Sequence, residues 1–287
     1  IKLPRAEGVS YIRSLKWTAD NQSLLVDRID RDTKRRQLFY VHNVGSKAEK
    51  IINVTEETDE KWVAPLSRLI EPHPSDSSQI LFASERDGFN HLYLATLERS
   101  KAEPTGELRQ ENPTDAGFSG KVNLRQLTKG NYEVDWVKWS SADRLIFSST
   151  EVNTAEREFY HLLPATNTKF QVSAGQKGMK TNPQIADAGN NISKFIYGSS
   201  QWNQPTELFM HSSCNVKCEL TQPNQITKST PENFKKIAWS EPKFIDIPSR
   251  DGKMIKSKYY LPNNFDKTKK YPMVIFVHGA GYLQNTI

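Results

Sequence analysis

The residues best suited to chemistry stand near the end of the chain. A continuous apolar run, Met273-Val-Ile-Phe-Val277, passes directly into His278-Gly-Ala-Gly-Tyr282. A run of that kind suits a strand covered on both faces of its sheet. Glycines placed straight after it let the backbone come close to a ligand. Backbone N–H groups in such a loop can point at an oxygen that gains negative charge during acyl transfer. His278, Gly279 and Tyr282 are therefore the candidate oxyanion-loop residues, with a plain strand-to-loop turn as the competing reading. Acyl transfer also needs a nucleophile. A serine hydrolase carries it on a G-x-S-x-G elbow, followed in chain order by an acid and a histidine. No such elbow occurs. Gly117-Phe-Ser-Gly120 lacks the second spacing, and Gly8-Val-Ser10 has no glycine two residues on. The six histidines, at 42, 73, 91, 161, 211 and 278, are scattered. The catalytic residues are thus expected downstream of Ile287, with none in this chain.

The elements around this loop change character near residue 241. Lys243–Ile247 alternates as a strand does, Ser249–Gly252 has Asp-Gly turn chemistry, and Lys256–Leu261 alternates again. Before that point the sequence repeats itself. Four segments, near Leu15, Glu71, Val134 and Pro183, share one order of features. A short apolar strand meets a polar turn. A second strand follows, at Leu24–Val26, Ile80–Phe82, Leu145–Phe147 and Phe195–Tyr197. A third carries aromatics, at Phe39-Tyr40, Leu92-Tyr93, Phe159-Tyr160 and Leu208-Phe209. The period is irregular, and units of about 40–50 residues with four strands each are the mark of propeller blades. The expected fold is mostly β with about four propeller blades. Four can close a ring by themselves, and only the family resemblance carried by the motifs below implies a larger ring, hence a partial propeller that begins partway round.

Composition removes several function classes. The 287 residues are 36% hydrophobic and 25% charged, as in an ordinary globular protein. No apolar run approaches the roughly 20 residues that span a bilayer. Ile1 to Ser10 carry no signal pattern, so the chain is read as cytosolic or as having its targeting segment removed or upstream. The net charge of +6 is dispersed. Its densest run, Lys34-Arg35-Arg36, is read as solvated charge at a hairpin tip, and nucleic acid is excluded as a partner. Glu56-Glu57 is likewise read as solvated loop. Cys214 and Cys218 are too few for a zinc site, and a local disulfide or two free thiols both remain open. No metal or cofactor is called for. The six tryptophans, mostly on strand-like segments, are read as blade packing.

Three stretches carry a resemblance to a known family: Ser84-Glu-Arg-Asp-Gly-Phe-Asn-His-Leu-Tyr93, Gln126-Leu-Thr-Lys-Gly130 with Tyr132-Glu-Val134, and Lys269-Lys-Tyr-Pro272 running into His278. From Leu15 to its end the chain resembles the dipeptidyl peptidase IV branch of the prolyl oligopeptidase family. The resemblance implies a seven- or eight-bladed propeller joined to an α/β-hydrolase domain. Residues 1–240 would be propeller and residues 241–287 the first strands of the hydrolase. It implies a serine peptidase that cleaves peptides, often after proline, and releases dipeptides or short peptides. The propeller would gate and position the peptide. A periplasmic or extracellular location is implied, and a homodimer of the full-length protein is an open option. Trp62 to Arg68, leading to Glu71-Pro72-His73, resembles the propeller loop that offers an arginine to substrate, with Arg68 at the matching position. The acidic pair that binds the substrate's amino group in this branch has no counterpart. The branch also places a tyrosine where His278 stands. The alternative function is a non-catalytic propeller that serves as a protein-interaction module. With no nucleophile elbow, the chain is expected to leave a fluorophosphonate probe and proline-containing chromogenic dipeptides untouched. Stoichiometric labelling of one serine would overturn that.

Overall fold

The computed structural model describes residues 1–63, 69–100, 117–173, 178–187, 192–214 and 223–277. Strands dominate, in four four-stranded antiparallel sheets and one hairpin. The first sheet runs β1 (Ser10–Trp17), β2 (Leu24–Asp30), β3 (Arg35–His42) and β4 (Lys50–Thr58). The second runs β5 (Ile70–Pro72), β6 (Gln79–Ser84), β7 (His91–Arg99) and β8 (Phe118–Gln126). The third holds β9 (Val134–Ser141), β10 (Arg144–Ser149), β11 (Glu158–Leu163) and β12 (Thr168–Gln171). The fourth holds β13 (Met179–Asp187), β14 (Ile192–Gln201), β15 (Gln204–Cys214) and β16 (Asn224–Gln225). In each, neighbours in sequence are neighbours in space, which is the make-up of a propeller blade. The eight strand segments expected from the repeat all lie in strands. Gly117-Phe-Ser-Gly120 opens β8.

Two compact units divide the chain. One is Ile1–Ser149 with Tyr160–Phe170, the other Thr150–Phe159 with Gln171–Ile287. In the first unit the second sheet buries both faces, and its sequence shows why. Along β6, Ile80 and Phe82 join Leu25, Leu38 and Tyr40 of the first sheet. Leu81 and Ala83, of the opposite parity, join Val137, Leu145 and Phe147 of the third. An alternating strand would serve a sheet with one wet face, whereas this one is apolar at both parities because both faces are dry. The β6–β7 turn closes at Gly88, whose φ of +102° suits glycine.

In the second unit Phe159 meets Phe195 and Tyr197 edge to face, with centroids 5.3 and 5.2 Å apart. A buried ion pair joins Lys180 to Glu158 at 2.6 Å. The segment after β16 is tied back to β15 by one carboxylate. Oε1 of Glu207 accepts from the backbone N–H groups of Ser229 and Thr230 at 2.7 and 2.9 Å, and from both hydroxyls at 3.0 Å. The Thr227 hydroxyl donates to its other oxygen. These bonds, the Thr227 one foremost, pull the Glu207 carboxyl down to about 2. One turn of helix, α1 (Glu232–Lys235), leads to the hairpin β17 (Lys243–Pro248) and β18 (Met254–Tyr259). Its Ser249–Gly252 turn is closed by Gly252 N–H to Ser249 C=O at 3.0 Å.

Several expectations are corrected. Met273–Val277 is not a strand. Its side chains are 70–96% exposed, and an apolar run becomes a buried strand only within a sheet that covers it. No α/β sheet occurs among the described residues. Arg36 is not tip charge but 3% exposed within β3, and Glu56 and Glu57 lie in β4 rather than in a loop. Only Trp17, Trp136 and Trp139 are on strands, and Trp17, Trp62, Trp202 and Trp239 are at least two-fifths exposed. Phe82, fully buried, gives a direct check on the core. Phe82→Ala is expected to cost about 3–5 kcal/mol in urea unfolding, against roughly 0.5 kcal/mol for Leu124→Ala on the exposed side of β8.

Candidate functional site

The apolar layer between the first two sheets ends in charge. Leu25 and Leu38 belong to that layer, and two residues further along the same faces stand Asp27 and Arg36. Arg36 lies opposite Glu57 in the β3–β4 register. The register skips Val54, so the strand bulges there. Because of the bulge Ile52, Thr55 and Glu57 share the inner face, whereas an unbroken strand would send Glu57 outward. Local strand irregularity thus brings a carboxylate under the core's edge.

Arg36 then bridges three elements. Its Nε donates to Asp27 Oδ1 at 2.9 Å, and its Nη1 lies 3.4 Å from Glu57 Oε1. The same Nη1 donates to the Ala83 carbonyl of β6 at 2.9 Å. Glu57 is also met from the second sheet. Ser84 Oγ donates to its Oε2 at 2.8 Å, and Arg86 Nη2 lies 3.2 Å from its Oε1. Arg86 is fixed in turn. It donates to Ser84 Oγ at 2.9 Å and Thr55 Oγ1 at 3.0 Å, with its guanidinium 4.8 Å from the Tyr93 ring centre. Arg36 and Asp27 are buried, while Arg86 keeps a partly exposed edge. Burial, with the charges of Glu133 and Glu57 adding to it, pushes the neighbouring Glu85 carboxyl above the ordinary range.

Two inter-strand connectors leave from this end. The one between β4 and β5 is tied at both shoulders. Asp59 N–H and Val63 N–H donate to the Lys34 and Thr33 carbonyls at 3.0 and 2.6 Å, and Ala83 N–H donates to the Leu69 carbonyl at 2.9 Å. The one between β8 and β9 is held by the Ser84–Tyr93 stretch. His91 reaches Thr128 Oγ1 at 3.0 Å and the Gly130 carbonyl at 2.9 Å, and Asn90 N–H donates to Glu133 at 2.8 Å. Ser84, Arg86, Asn90 and His91, all within this stretch, each anchor a neighbouring segment. Sequence reading used the stretch only as a likeness and assigned it no site.

Arg68, His278, Gly279, Tyr282 and Cys218 lie outside the described residues, as does the side chain of Cys214. What is described brings Trp62, Val63 and Leu69 to the charged end of the first two sheets, and Tyr271–Val277 carries no strand. No group of three or more potential metal ligands occurs among the described residues. The charged end has the means to orient a neighbouring segment or ligand.

Residues 1–198 match the family described as the dipeptidyl peptidase IV N-terminal region. Human dipeptidyl peptidase 8 is 24% identical over 97% of this chain and 34% of its own length, and the mouse protein of that name is 23% identical with the same coverage. The chain therefore spans about a third of the curated relatives it matches. Among solved structures, dipeptidyl peptidase 4 of Porphyromonas gingivalis superposes with a TM-score of 0.68 at 19% identity, over 95% of this chain and 34% of that one. A putative dipeptidyl aminopeptidase IV from Bacteroides ovatus gives 0.61 at 21% identity, over 92% and 35%. These superpositions show a shared fold. The fourth sheet, which extends beyond residue 198, has the same strand order as the three before it.

The ion network has its own test. Arg36→Met leaves Asp27 and Glu57 short of a partner in a dry place and is expected to destabilise by about 3–5 kcal/mol. Combined with Asp27→Asn, the loss should fall short of the sum of the single losses by about 1 kcal/mol or more. Strict additivity in urea unfolding would show that the pair is not coupled.

Proposed function

Because this chain belongs to the dipeptidyl peptidase IV N-terminal region family, we propose that it is the later propeller and the opening of the hydrolase domain of a prolyl-oligopeptidase-type serine peptidase. Residues 1–240 are the propeller part and residues 241–287 the start of the hydrolase. The observation that carries this reading is the order of elements. Four blade-like sheets give way to the β17–β18 hairpin, and an apolar run then meets H-G-A-G. Met273 to Val277, exposed as described, need neighbouring strands and helices to cover them. Covering each such side chain is worth about 1.5–3 kcal/mol.

The division of labour follows from the chemistry of the parts. The propeller admits and orients a peptide, and Arg68 donates to one of its carbonyl groups. The loop at Gly279 offers a backbone N–H to the oxygen that becomes negative during attack. Nucleophile, acid and histidine base come from outside residues 1–287. The reaction needs no cofactor. The substrate is a peptide with a free N-terminus, from which dipeptides or short peptides are released. His278 stands where the resemblance has a tyrosine, so the side-chain donor to the oxyanion differs from that branch.

The full-length protein tests this directly. With Xaa-Pro chromogenic substrates, Gly279→Val is expected to lower kcat by about 10²–10³, as loss of one oxyanion donor does. Arg68→Ala is expected to raise KM. A folded Gly279→Val enzyme with unchanged kcat would remove the loop from the mechanism. A full-length protein that turned over no peptide would favour the interaction-module reading.

A further inference from the structure

Aromatic rings form the buried layer of the second unit. Phe159 meets Phe195 and Tyr197 edge to face, Phe195 and Tyr197 lie 5.6 Å apart, and Tyr197 stacks on Phe209 at 6.2 Å. His211 stands at the end of this layer, 5.1 Å from the Phe195 ring and opposite Phe195 in the β14–β15 register. It is 2% exposed, and neither ring nitrogen has a hydrogen-bond partner among the described residues. The repeat supplies a comparison. His42 follows Tyr40 on β3 as His211 follows Phe209 on β15. His42 is only half-buried, has Ser23 Oγ 3.2 Å from its Nδ1, and feels the negative charge of Asp20. At the matching place in the fourth sheet the imidazole has neither the hydroxyl nor the carboxylate.

We propose that His211 is an acid-sensitive latch of the fourth sheet: neutral, it completes the aromatic layer, and on taking a proton it leaves the layer and opens the end of β15. A neutral imidazole can be buried at modest cost, whereas an imidazolium without a counter-ion cannot. The buried charged groups described in this unit already have partners. Glu158 takes the Lys180 ammonium at 2.6 Å and the Ser173 hydroxyl. Glu207 is engaged by Thr227, Ser229 and Thr230. The Tyr197 hydroxyl, pushed above its ordinary range by burial and by Glu158, stays neutral. Burial acts on His211 without a compensating charge and moves the imidazole below its ordinary value. The stability it contributes is therefore full above about pH 6.5 and is lost as the pH falls below that. The Glu207 carboxyl, held at about 2, stays ionised through that range, so the clasp after β16 is not what gives way.

Hydrogen–deuterium exchange of the full-length protein from about pH 7.5 to 5, corrected for the intrinsic rate at each pH, reads the opening. Amides of residues 194–201 and 204–212 should open about fivefold more often at about pH 5.5 than at about pH 6.5, while β6 and β7 keep their protection. His211→Phe and His211→Gln cannot take the proton, so the same amides should give a flat profile. His42→Phe should keep the wild-type slope. A flat wild-type profile overturns the inference, and that arm needs no variant to fold. A slope that survives in a folded His211 variant overturns it as well, since another group must then carry the acid response. Loss of the slope in His42→Phe would place that response in the first unit and overturn it too.

Discussion

A four-stranded sheet has two faces and can hide neither by itself. Much of the first unit follows from that constraint. The second sheet meets it with neighbours on both sides, and the price is an apolar residue at every position of Ile80–Ala83. The first sheet shows the same pressure on its far face. There Leu24, Val26, Phe39 and Val41 are buried with Leu3, from the segment before β1, packed against them. Stacking of this sort makes each sheet's stability conditional on the next. It also explains why the repeat survives in the sequence although the loops between strands differ in length.

Where the stacked layer reaches its end, backbone groups and connectors must be satisfied without an apolar neighbour. The solution at the first two sheets is ionic. Arg36 is nearly as buried as the leucines beside it, yet its nitrogens meet Asp27, Glu57 and a backbone carbonyl. Such a network contributes little net stability compared with an apolar replacement of the same shape. What it adds is direction, since charged hydrogen bonds accept few geometries. The charged end consequently ties strands of two sheets and the shoulders of a connector into one arrangement.

The blades were legible in sequence because strand parity, aromatic third strands and polar turns are local signals. The β17–β18 hairpin was legible for the same reason, through its Asp-Gly turn. The charged end was not. Arg36 shares parity with Leu38 and Tyr40, a signal that was available and was outweighed by its place in a basic run. Glu57 offered no such signal, because the bulge at Val54 reverses parity and a bulge depends on the pairing partner. Met273–Val277 shows the opposite failure. Its composition states a demand for burial, but composition does not supply the strands that would meet it. Arg68 was picked out by likeness and the His278 loop by its glycines directly after an apolar run, and both lie outside the described residues.

The Glu207 clasp has a consequence for the order in which the chain takes shape during synthesis. The carboxylate sits on β15, and the donors that satisfy it are Thr227, Ser229 and Thr230, about twenty residues later. A ribosome releases the chain from the N-terminus onward, so β15 can pair with β14 while Glu207 still faces water. The fourth sheet is sealed only when residue 230 has cleared the exit tunnel. The clasp is therefore the last of these contacts that can form, closing on a sheet whose four strands have already been made.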